Sequence, residues 1–235
     1  MQGLLLIDKP AGMTSHDVVD RVRRLTGIRK VGHAGTLDPF ATGLLILGIG
    51  PATKQLTNLV GLDKEYGATF VLGARSETDD PEGPIEPDAG AGHVLPNLTR
   101  NKIESAMQKY LGEIEQVPPQ YAAIKIKGKK MYELARAGHE VKAEPRKVRI
   151  DEYELLEMAQ TNGHSPQQQI KVRIKCGSGT YIRALARDLG EDLKVGGYVS
   201  ELRRTTIGSY RIEDAMPLND LTPENISTKL LTGTL

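Results

Sequence analysis

Residues 169–176 alternate polar and apolar side chains, in the order Gln-Ile-Lys-Val-Arg-Ile-Lys-Cys. Successive side chains of a β-strand point to opposite faces of its sheet, so this segment predicts a strand with one buried face and one basic face. Such a strand is stable only when its apolar face packs against other elements. The chain must therefore build a sheet with at least one covered side.

The other predicted elements do not follow a repeating order. Apolar runs bounded by turn residues predict further strands at residues 4–7, 44–47, 66–72 and 146–156. Thr14, with Asp17 three residues later, has the pattern of a capping box and predicts a helix. Another helix is predicted from about Tyr181 to Leu189, with Gly190 as its end. Because strands outnumber helices and do not alternate regularly with them, we predict a single α+β domain with a mixed sheet.

Composition excludes several classes of protein. The 235 residues are 39% apolar and 26% charged, which is typical of a globular chain rather than a disordered one. Cys176 is the only cysteine, so an internal disulfide framework and a cysteine-cluster zinc site are excluded. The longest apolar run, 43–50, is far shorter than the ~20 residues that span a bilayer, and the N-terminal residues lack the basic region of a signal peptide. We expect a cytoplasmic protein that does not enter a membrane.

Charge is divided unevenly along a chain whose formal net charge is only +1. Residues 121–150 contain nine Lys and Arg against three Glu, whereas residues 76–90 contain six Asp and Glu and no basic residue. A basic stretch that also carries Tyr121 and Tyr132 suits a surface that contacts RNA, although a solvated face has the same composition. The acidic stretch is rich in proline and glycine and predicts an exposed loop that nucleic acid avoids.

Two short segments carry candidate functional side chains. In Gly32–Pro39, the glycines allow a ligand to approach the backbone, and the proline biases Asp38 away from helical conformation, which holds its carboxylate stiffly at the mouth of the sheet. A structural Asp-Pro turn explains the same residues. In Gly179–Arg183, Arg183 either pairs with a buried carboxylate or lies on a helix surface. The five histidines lack metal-ligand spacing, and Cys176 takes an apolar position in its strand, which indicates a structural role.

Six blocks of sequence, in order, resemble the TruB family of pseudouridine synthases. They read D-K-P-x-G-x-T-S (8–15), G-H-A-G-T-L-D-P-x-A-x-G (32–43), K-E-Y (64–66), P-P-Q-Y-A-A-I-K (118–125), G-T-Y-I-R-x-L (179–185) and L-R-R-T (202–205). The match is to the stand-alone bacterial members, which isomerise the uridine at position 55 in the T-loop of tRNA. Guide-RNA-dependent, dyskerin-type relatives share the nucleophile motif and are the nearest competing assignment. The resemblance implies the pseudouridine synthase fold, with a mixed, largely antiparallel central sheet flanked by helices.

The resemblance also implies roles for individual residues. Asp38 matches the catalytic nucleophile, which acts at C1′ of the ribose or through a glycal intermediate. Arg183 matches the arginine that pairs with this aspartate, and Tyr66 the tyrosine that packs on the target base and handles a proton. The implied substrate-binding residues are His33, Tyr66, Tyr181, Leu202, Lys125, Lys127, Lys129 and Lys130. Because the isomerisation uses no redox step and no external group, no cofactor and no metal are expected.

The resemblance further implies an organisation and a partner. The catalytic domain is expected to span residues 1–220 and to include the basic segment 121–150 as an RNA-clamping insertion. Residues 221–235 are then a short C-terminal tail, too short for the PUA RNA-binding domain that many bacterial members carry. The implied partner is the T-arm stem-loop of tRNA, bound by a monomer that needs no obligate protein or guide RNA.

Two other functions fit the residues. A carboxylate glycoside hydrolase would use Asp38 with Asp79 or Asp80, and would need the two carboxylates about 5–10 Å apart. A non-catalytic module would remodel tRNA through the basic segment alone. Release of free base or sugar distinguishes the first, and an effect on tRNA folding that survives Asp38→Ala distinguishes the second.

Overall fold

The structure, a computed structural model, describes residues 1–87, 98–122, 125–126, 129–130, 143–159 and 167–231. In these ranges the α-helices are α1 (Ser15–Thr26), α2 (Leu56–Val60), α3 (Arg100–Met107) and α4 (Ile182–Asp192). The strands are β1 (Gly3–Lys9), β2 (Val31–His33), β3 (Thr42–Ile49), β4 (Lys64–Leu72), β5 (Ala74–Ser76), β6 (Ile85–Pro87), β7 (Gly112–Gln116), β8 (Lys125–Ile126), β9 (Lys129–Lys130), β10 (Arg146–Met158), β11 (Gln168–Cys176), β12 (Gly197–Ile207), β13 (Tyr210–Arg211) and β14 (Met216–Pro217). The predicted α+β class, with a mixed and mostly antiparallel sheet, is confirmed.

The chain forms two compact units, one of residues 1–67 with 201–235 and one of residues 68–200. It leaves the first unit within β4 and returns to it within β12. In the first unit the strand order is β14-β1-β3-β12, in which β1 pairs with β3 antiparallel and the two outer pairings are parallel. In the second unit the order is β4-β11-β10-β7, with β11, β10 and β7 antiparallel.

Strands β1 and β3 are apolar at consecutive positions because both faces of the sheet are covered there. One face packs against α1, and its buried side chains include Leu5, Ile7, Val18, Val22, Leu45 and Leu47. The other face buries a second set, which includes Leu4, Leu6, Leu44, Ile46 and Leu59. Helix α1 begins with the predicted capping box of Thr14 and Asp17 and ends at Gly27 in the left-handed conformation. Local sequence therefore sets the bounds of this helix correctly.

Part of the segment predicted as a C-terminal tail packs in the core of the first unit. Leu221 and Ile226 are buried beside α1, and Leu231 pairs with Leu4 of β1 through main-chain hydrogen bonds of 2.8 and 3.1 Å. Residues beyond 220 thus contribute apolar burial to this unit. No helix within the described ranges is both long and apolar enough to cross a membrane.

The predicted end of the last helix at Gly190 is wrong, because α4 continues to Asp192. A Cβ at Gly190 would lie 2.2 Å from the carbonyl carbon of Gly196, so this glycine allows the chain that enters β12 to cross the helix. The sequence pattern does not indicate β12 itself, since two arginines stand in its centre. Arg204 is nevertheless only 1% exposed.

The exposed face of β11 is basic, as its alternation predicts, but β10 places acidic side chains opposite. The ion pairs across the two strands are Lys171–Glu157 at 2.7 Å, Arg173–Glu154 at 2.8 Å, Arg173–Glu152 at 3.1 Å and Lys175–Glu152 at 3.6 Å. Such cross-strand pairs each contribute a few tenths of a kcal/mol, on the order of 0.2–1 kcal/mol. This face therefore carries compensated charge rather than a net positive charge.

Candidate active site

Asp38 lies on a loop of residues 34–41, the Asp38 loop, which connects β2 to β3. Ser15, the first residue of α1, fixes the middle of the loop by two hydrogen bonds: its Oγ accepts from the Leu37 amide at 2.8 Å and donates to the Leu37 carbonyl at 3.1 Å. The Ala41 amide donates to the Asp38 carbonyl at 3.1 Å. The carboxylate is thus presented from a backbone whose polar groups are satisfied on both sides of it.

Two buried cations fix the ends of the Asp38 loop. Lys9, at the end of β1, is fully buried, and its Nζ donates to three carbonyls: Pro10 at 2.9 Å, Met13 at 2.7 Å and Pro39 at 3.3 Å. Arg204 of β12 donates from Nη2 to the Gly35 carbonyl at 3.1 Å and from Nε to the Leu44 carbonyl at 2.8 Å. Charged donors make stronger hydrogen bonds than neutral ones, so these contacts hold the loop rigidly.

Gly43, directly after the Asp38 loop, is required by the close approach of β12. Its φ is +104°, and a Cβ there would lie 2.3 Å from the carbonyl oxygen of Arg204. Gly43, the last residue of the 32–43 block, therefore serves packing rather than contact with a ligand. It allows the parallel pairing of β3 and β12 that brings Arg204 to the loop.

Gly43→Ala is expected to lower the free energy of unfolding by at least about 2 kcal/mol, because it adds both left-handed strain and a steric clash. Gly12→Ala is the matched control, since Gly12 has φ +79° but nothing within 4 Å of a new Cβ. We expect Gly12→Ala to lower the free energy of unfolding by about 1 kcal/mol, from backbone strain alone. Urea unfolding of both variants measures the difference. Equal losses of unfolding free energy would contradict the predicted effect of the clash.

Three more of the residues implied by the resemblance belong to the first unit. His33, the last residue of β2, is half-buried, and burial together with the positive charges of Arg204 and His16 lowers its pKa, which leaves a neutral imidazole at pH 7. Tyr66 of β4 and Leu202 of β12 are buried. The Leu202 carbonyl accepts a hydrogen bond from Thr42, directly after the Asp38 loop. Leu202 is therefore fixed next to the end of that loop.

Arg183 belongs to the second unit, at the first turn of α4, and its side chain is buried. Its Nη1 donates to Asp80 Oδ2 at 2.7 Å and to the Thr78 carbonyl at 3.0 Å, and its Nη2 donates to the Tyr121 carbonyl at 3.4 Å. Of the two alternatives left by the sequence, pairing with a buried carboxylate is therefore confirmed. The pairing of Arg183 with Asp38 that the resemblance implies stays a prediction.

The prediction that residues 76–90 form an exposed loop is wrong for its two central acids. Asp79 and Asp80 are 8% and 2% exposed, in a turn of residues 78–80 that follows β5. Asp80 Oδ1 accepts from the Glu82 amide at 3.0 Å and from the Thr78 hydroxyl. The partners that bury these carboxylates are arginines about a hundred residues later in the sequence, so no local pattern could reveal them.

Arg187, one turn after Arg183 on α4, pairs with the other acid of the 78–80 turn. Its Nη1 donates to Asp79 Oδ2 at 2.9 Å. Burial raises the pKa of Asp79 to about 6, although the positive charges of Arg187 and Arg183 oppose that rise. In the folded protein the Asp79 carboxyl therefore titrates around pH 6, and the ion pair is fully charged only above about pH 7.

This titration predicts a pH dependence of stability. Because the folded state holds the Asp79 proton more tightly than the unfolded chain, the contribution of Asp79 to the free energy of unfolding falls as pH rises from about 4 to about 6. A shift from 3.8 to about 6 corresponds to a fall of up to about 3 kcal/mol. Chemical unfolding between pH 4 and pH 7.5 should show this fall in wild type relative to Asp79→Asn.

Tyr181 caps the N-terminus of α4 and is held there by a glutamine that the sequence did not single out. The Gln116 side chain, which is buried, donates to the Tyr181 carbonyl at 3.0 Å and accepts from the Tyr181 amide at 2.8 Å.

Of the predicted RNA-contacting lysines, Lys125 and Lys130 form a backbone pair between β8 and β9, and Lys129 pairs with Ile126. Lys127 lies outside the described residues. Within the described ranges no cluster of His, Cys, Asp and Glu could hold a metal ion.

Comparison with protein families decides the relationship of the chain. Residues 23–182 match the N-terminal domain of TruB family pseudouridylate synthases, and residues 183–231 match the C-terminal domain of tRNA pseudouridylate synthase B. The chain belongs to the TruB family. The resemblance carried by the six sequence blocks is thereby confirmed.

The curated relatives of this TruB-family chain include bacterial proteins named tRNA pseudouridine synthase B. It is 50% identical over 219 residues to tRNA pseudouridine synthase B of Mycobacterium tuberculosis, which covers 93% of this chain and 71% of the relative. It is 50% identical over 221 residues to tRNA pseudouridine synthase B of Leifsonia xyli subsp. xyli, which covers 94% and 72%.

Chains with the same fold are present in the solved structures of two complexes. A chain in the crystal structure of a Cbf5-Nop10-Gar1 complex matches with a TM-score of 0.68 and 30% identity, over 93% of this chain and 53% of that chain. A chain in an H/ACA RNP bound to a substrate RNA containing 2′-deoxyuridine matches with a TM-score of 0.65 and 28% identity, over 93% and 52%. The TruB-family chain thus spans about half the length of these two chains.

Proposed function

We propose that this TruB-family protein isomerises uridine to pseudouridine at position 55 in the T-loop of tRNA. The observation that carries the proposal is Asp38, a half-buried carboxylate on a loop fixed by Ser15, Lys9 and Arg204. A pre-organised carboxylate is what a nucleophile at a sugar carbon requires. About 50% identity to tRNA pseudouridine synthase B over more than nine-tenths of the chain supports tRNA as the substrate.

The proposed reaction balances without a co-reactant. The bond between uracil N1 and ribose C1′ breaks, the base rotates, and C5 forms a bond to C1′. The hydrogen on C5 then leaves as a proton, and N1 ends with a proton of its own. We assign Asp38 as the nucleophile and Arg183 as the cation that stabilises the negative charge of the reacting groups. Tyr66 packs on the base and handles a proton.

Substrate binding in this proposal requires the target base to leave the stack of the T-loop. Extrusion of a base costs a few kcal/mol, which stacking and apolar contacts in the pocket must offset. We assign this role to His33, whose neutral ring can pack without bringing an additional charge, and to Tyr181 and Leu202. The lysines of the basic segment contact phosphates of the T-arm. We expect a cytoplasmic monomer that needs no protein or guide-RNA partner.

The glycoside hydrolase alternative is weakened by the ion pairs of the second unit. It needs a second carboxylate that can donate or accept a proton, and its candidates were Asp79 and Asp80. Asp80 pairs with Arg183 at 2.7 Å and Asp79 with Arg187 at 2.9 Å. Both acidic side chains are buried and engaged in these ion pairs, so neither carboxylate is open to a sugar substrate. These contacts favour the isomerase over the hydrolase.

The proposal is tested with a T-arm stem-loop transcript that carries tritium at C5 of its uridines. Because the new bond forms at C5, isomerisation must release tritium to water, and digestion of the product must yield pseudouridine. A stem-loop with cytidine in place of the target uridine is the matched control and should release no tritium. Free uracil in the digest would point to the hydrolase instead. Binding of the transcript without tritium release would contradict the isomerase and favour the tRNA-folding module.

A further inference from the structure

Arg187 makes contacts that the proposed chemistry does not use. Its side chain is 21% exposed and binds in three directions: to Asp79 Oδ2 at 2.9 Å, to the Val117 carbonyl at 2.8 Å and to Asp188 Oδ1 at 2.9 Å. Its partners are the buried carboxylate of Asp79, the main-chain carbonyl of the exposed Val117 and the neighbouring carboxylate of Asp188, so every guanidinium nitrogen is engaged. Arg187 therefore links segments that are distant from one another in the sequence.

Arg187 binds the same two segments that fix the side chain of Arg183. Arg183 is fixed by the 78–80 turn and by the carbonyl of Tyr121. Arg187 binds Asp79 in the same turn and Val117, four residues before Tyr121. Two arginines one helical turn apart on α4 thus bind the same two segments in parallel. A shift of either segment moves the supports of Arg183.

The 78–80 turn needs such a restraint because its backbone is strained. Asp79 has φ +59°, a left-handed conformation that Asp adopts more readily than most residues but that is still less favourable than the right-handed one. Its contacts there include the ion pair with Arg187, a hydrogen bond of 3.1 Å from the Val199 amide to the Asp79 carbonyl, and one of 3.2 Å from the Asp79 amide to the Ser76 carbonyl. Without Arg187, relaxation of Asp79 would displace its neighbours Thr78 and Asp80, both of which bind Arg183.

We propose that Arg187 is a positioning residue of the reaction, which orients Arg183 by bracing the 78–80 turn against the segment 117–121. This inference rests on the proposed function, in which Arg183 acts on the reacting groups. It predicts a defect in the chemical step rather than in RNA binding, because a misplaced catalytic group costs rate even when its substrate still binds. A lysine keeps the charge but cannot reach partners in two directions.

The test is single-turnover and steady-state tritium release at pH 7.5 by Arg187→Gln, Arg187→Lys and Asp79→Asn. We expect kcat to fall about 10- to 100-fold in Arg187→Gln, with KM nearly unchanged, and by less in the other two. Asparagine tolerates left-handed backbone, so Asp79→Asn removes the ion pair without forcing the turn to refold. Arg75→Gln is the matched control, since Arg75 pairs with Glu191 of the same helix but on an exposed surface, and should keep wild-type kcat.

A readout that general destabilisation would not produce is chemical rescue. Added ethylguanidinium should restore part of the kcat of Arg187→Ala and leave that of Arg75→Ala unchanged. Provided that the wild-type protein is active, two results would overturn the inference. One is a wild-type kcat in both Arg187→Gln and Asp79→Asn, and the other is a loss of kcat only in proportion to the loss of folded protein. If Arg187→Gln does not fold, Arg187→Lys and Asp79→Asn decide the question in the same way. Failure of wild type to release tritium would instead remove the proposed function.

Discussion

Asp38→Asn is expected to release no measurable tritium from the T-arm stem-loop, a loss of at least about 10⁴-fold. Asparagine has nearly the same shape as aspartate, but its amide carries no negative charge and is a poor nucleophile at a sugar carbon. The Asp38 loop should keep its conformation, since Ser15, Lys9 and Arg204 bind its main chain. The variant should therefore bind the stem-loop with an affinity close to that of wild type.

Two measurements check this expectation, tritium release and fluorescence anisotropy with a labelled stem-loop. Asp20→Asn is a suitable control, because Asp20 lies on α1 in an exposed ion pair with Arg23 and should retain full activity. Tritium release by Asp38→Asn at the wild-type rate would remove Asp38 from the mechanism. Loss of both release and binding would show that the substitution acts on binding of the RNA.

Asp80→Ala is expected to cost about 3–5 kcal/mol of unfolding free energy, the second large effect. The reason lies with Arg183, whose side chain is 5% exposed and loses its carboxylate partner at 2.7 Å. An uncompensated buried guanidinium is far less favourable than the intact pair, because water cannot solvate its charge. We also expect tritium release to fall sharply, since Asp80 sets the direction of the Arg183 side chain.

Urea unfolding at pH 7.5 measures the loss, with Glu191→Ala as the control. Glu191 pairs with Arg75 at 3.1 Å, but both side chains are about half exposed, so its removal should cost less than about 1 kcal/mol. The two variants break one ion pair each in the same unit and differ mainly in burial. Equal losses would show that burial of the Asp80–Arg183 pair contributes nothing to stability.

Sequence reasoning succeeded where the determinants are local. Helix α1 has its start signal at Thr14 and Asp17 and its end signal at Gly27, all within the element itself. Strand β11 is likewise set by its own alternation of residues. Both elements could therefore be predicted without knowledge of any partner.

Where the determinants are distant in sequence, local patterns were ambiguous or wrong. The exposure predicted for Asp80 failed because its partner Arg183 follows 103 residues later. The end predicted at Gly190 failed because the reason for that glycine is contact with Gly196, across a turn. The role proposed for Asp38 came from resemblance and not from spacing, since an Asp-Pro turn has the same local signature. Likewise, the hydrogen bond from Arg204 to the Gly35 carbonyl of the Asp38 loop comes from a strand more than 160 residues later in the sequence.

The division of the first unit between the two ends of the chain has a consequence during synthesis. Strands β1 and β3 emerge from the ribosome early, but their parallel neighbours β14 and β12 lie beyond residue 196. The intervening residues, 68–200, take about 7 to 27 s to translate at about 5–20 residues per second. During that time the apolar edges of β1 and β3 have no neighbouring strand from the C-terminal segment. The contiguous unit can fold first, and nascent chains that stall before residue 201 should be the ones that chaperones retain.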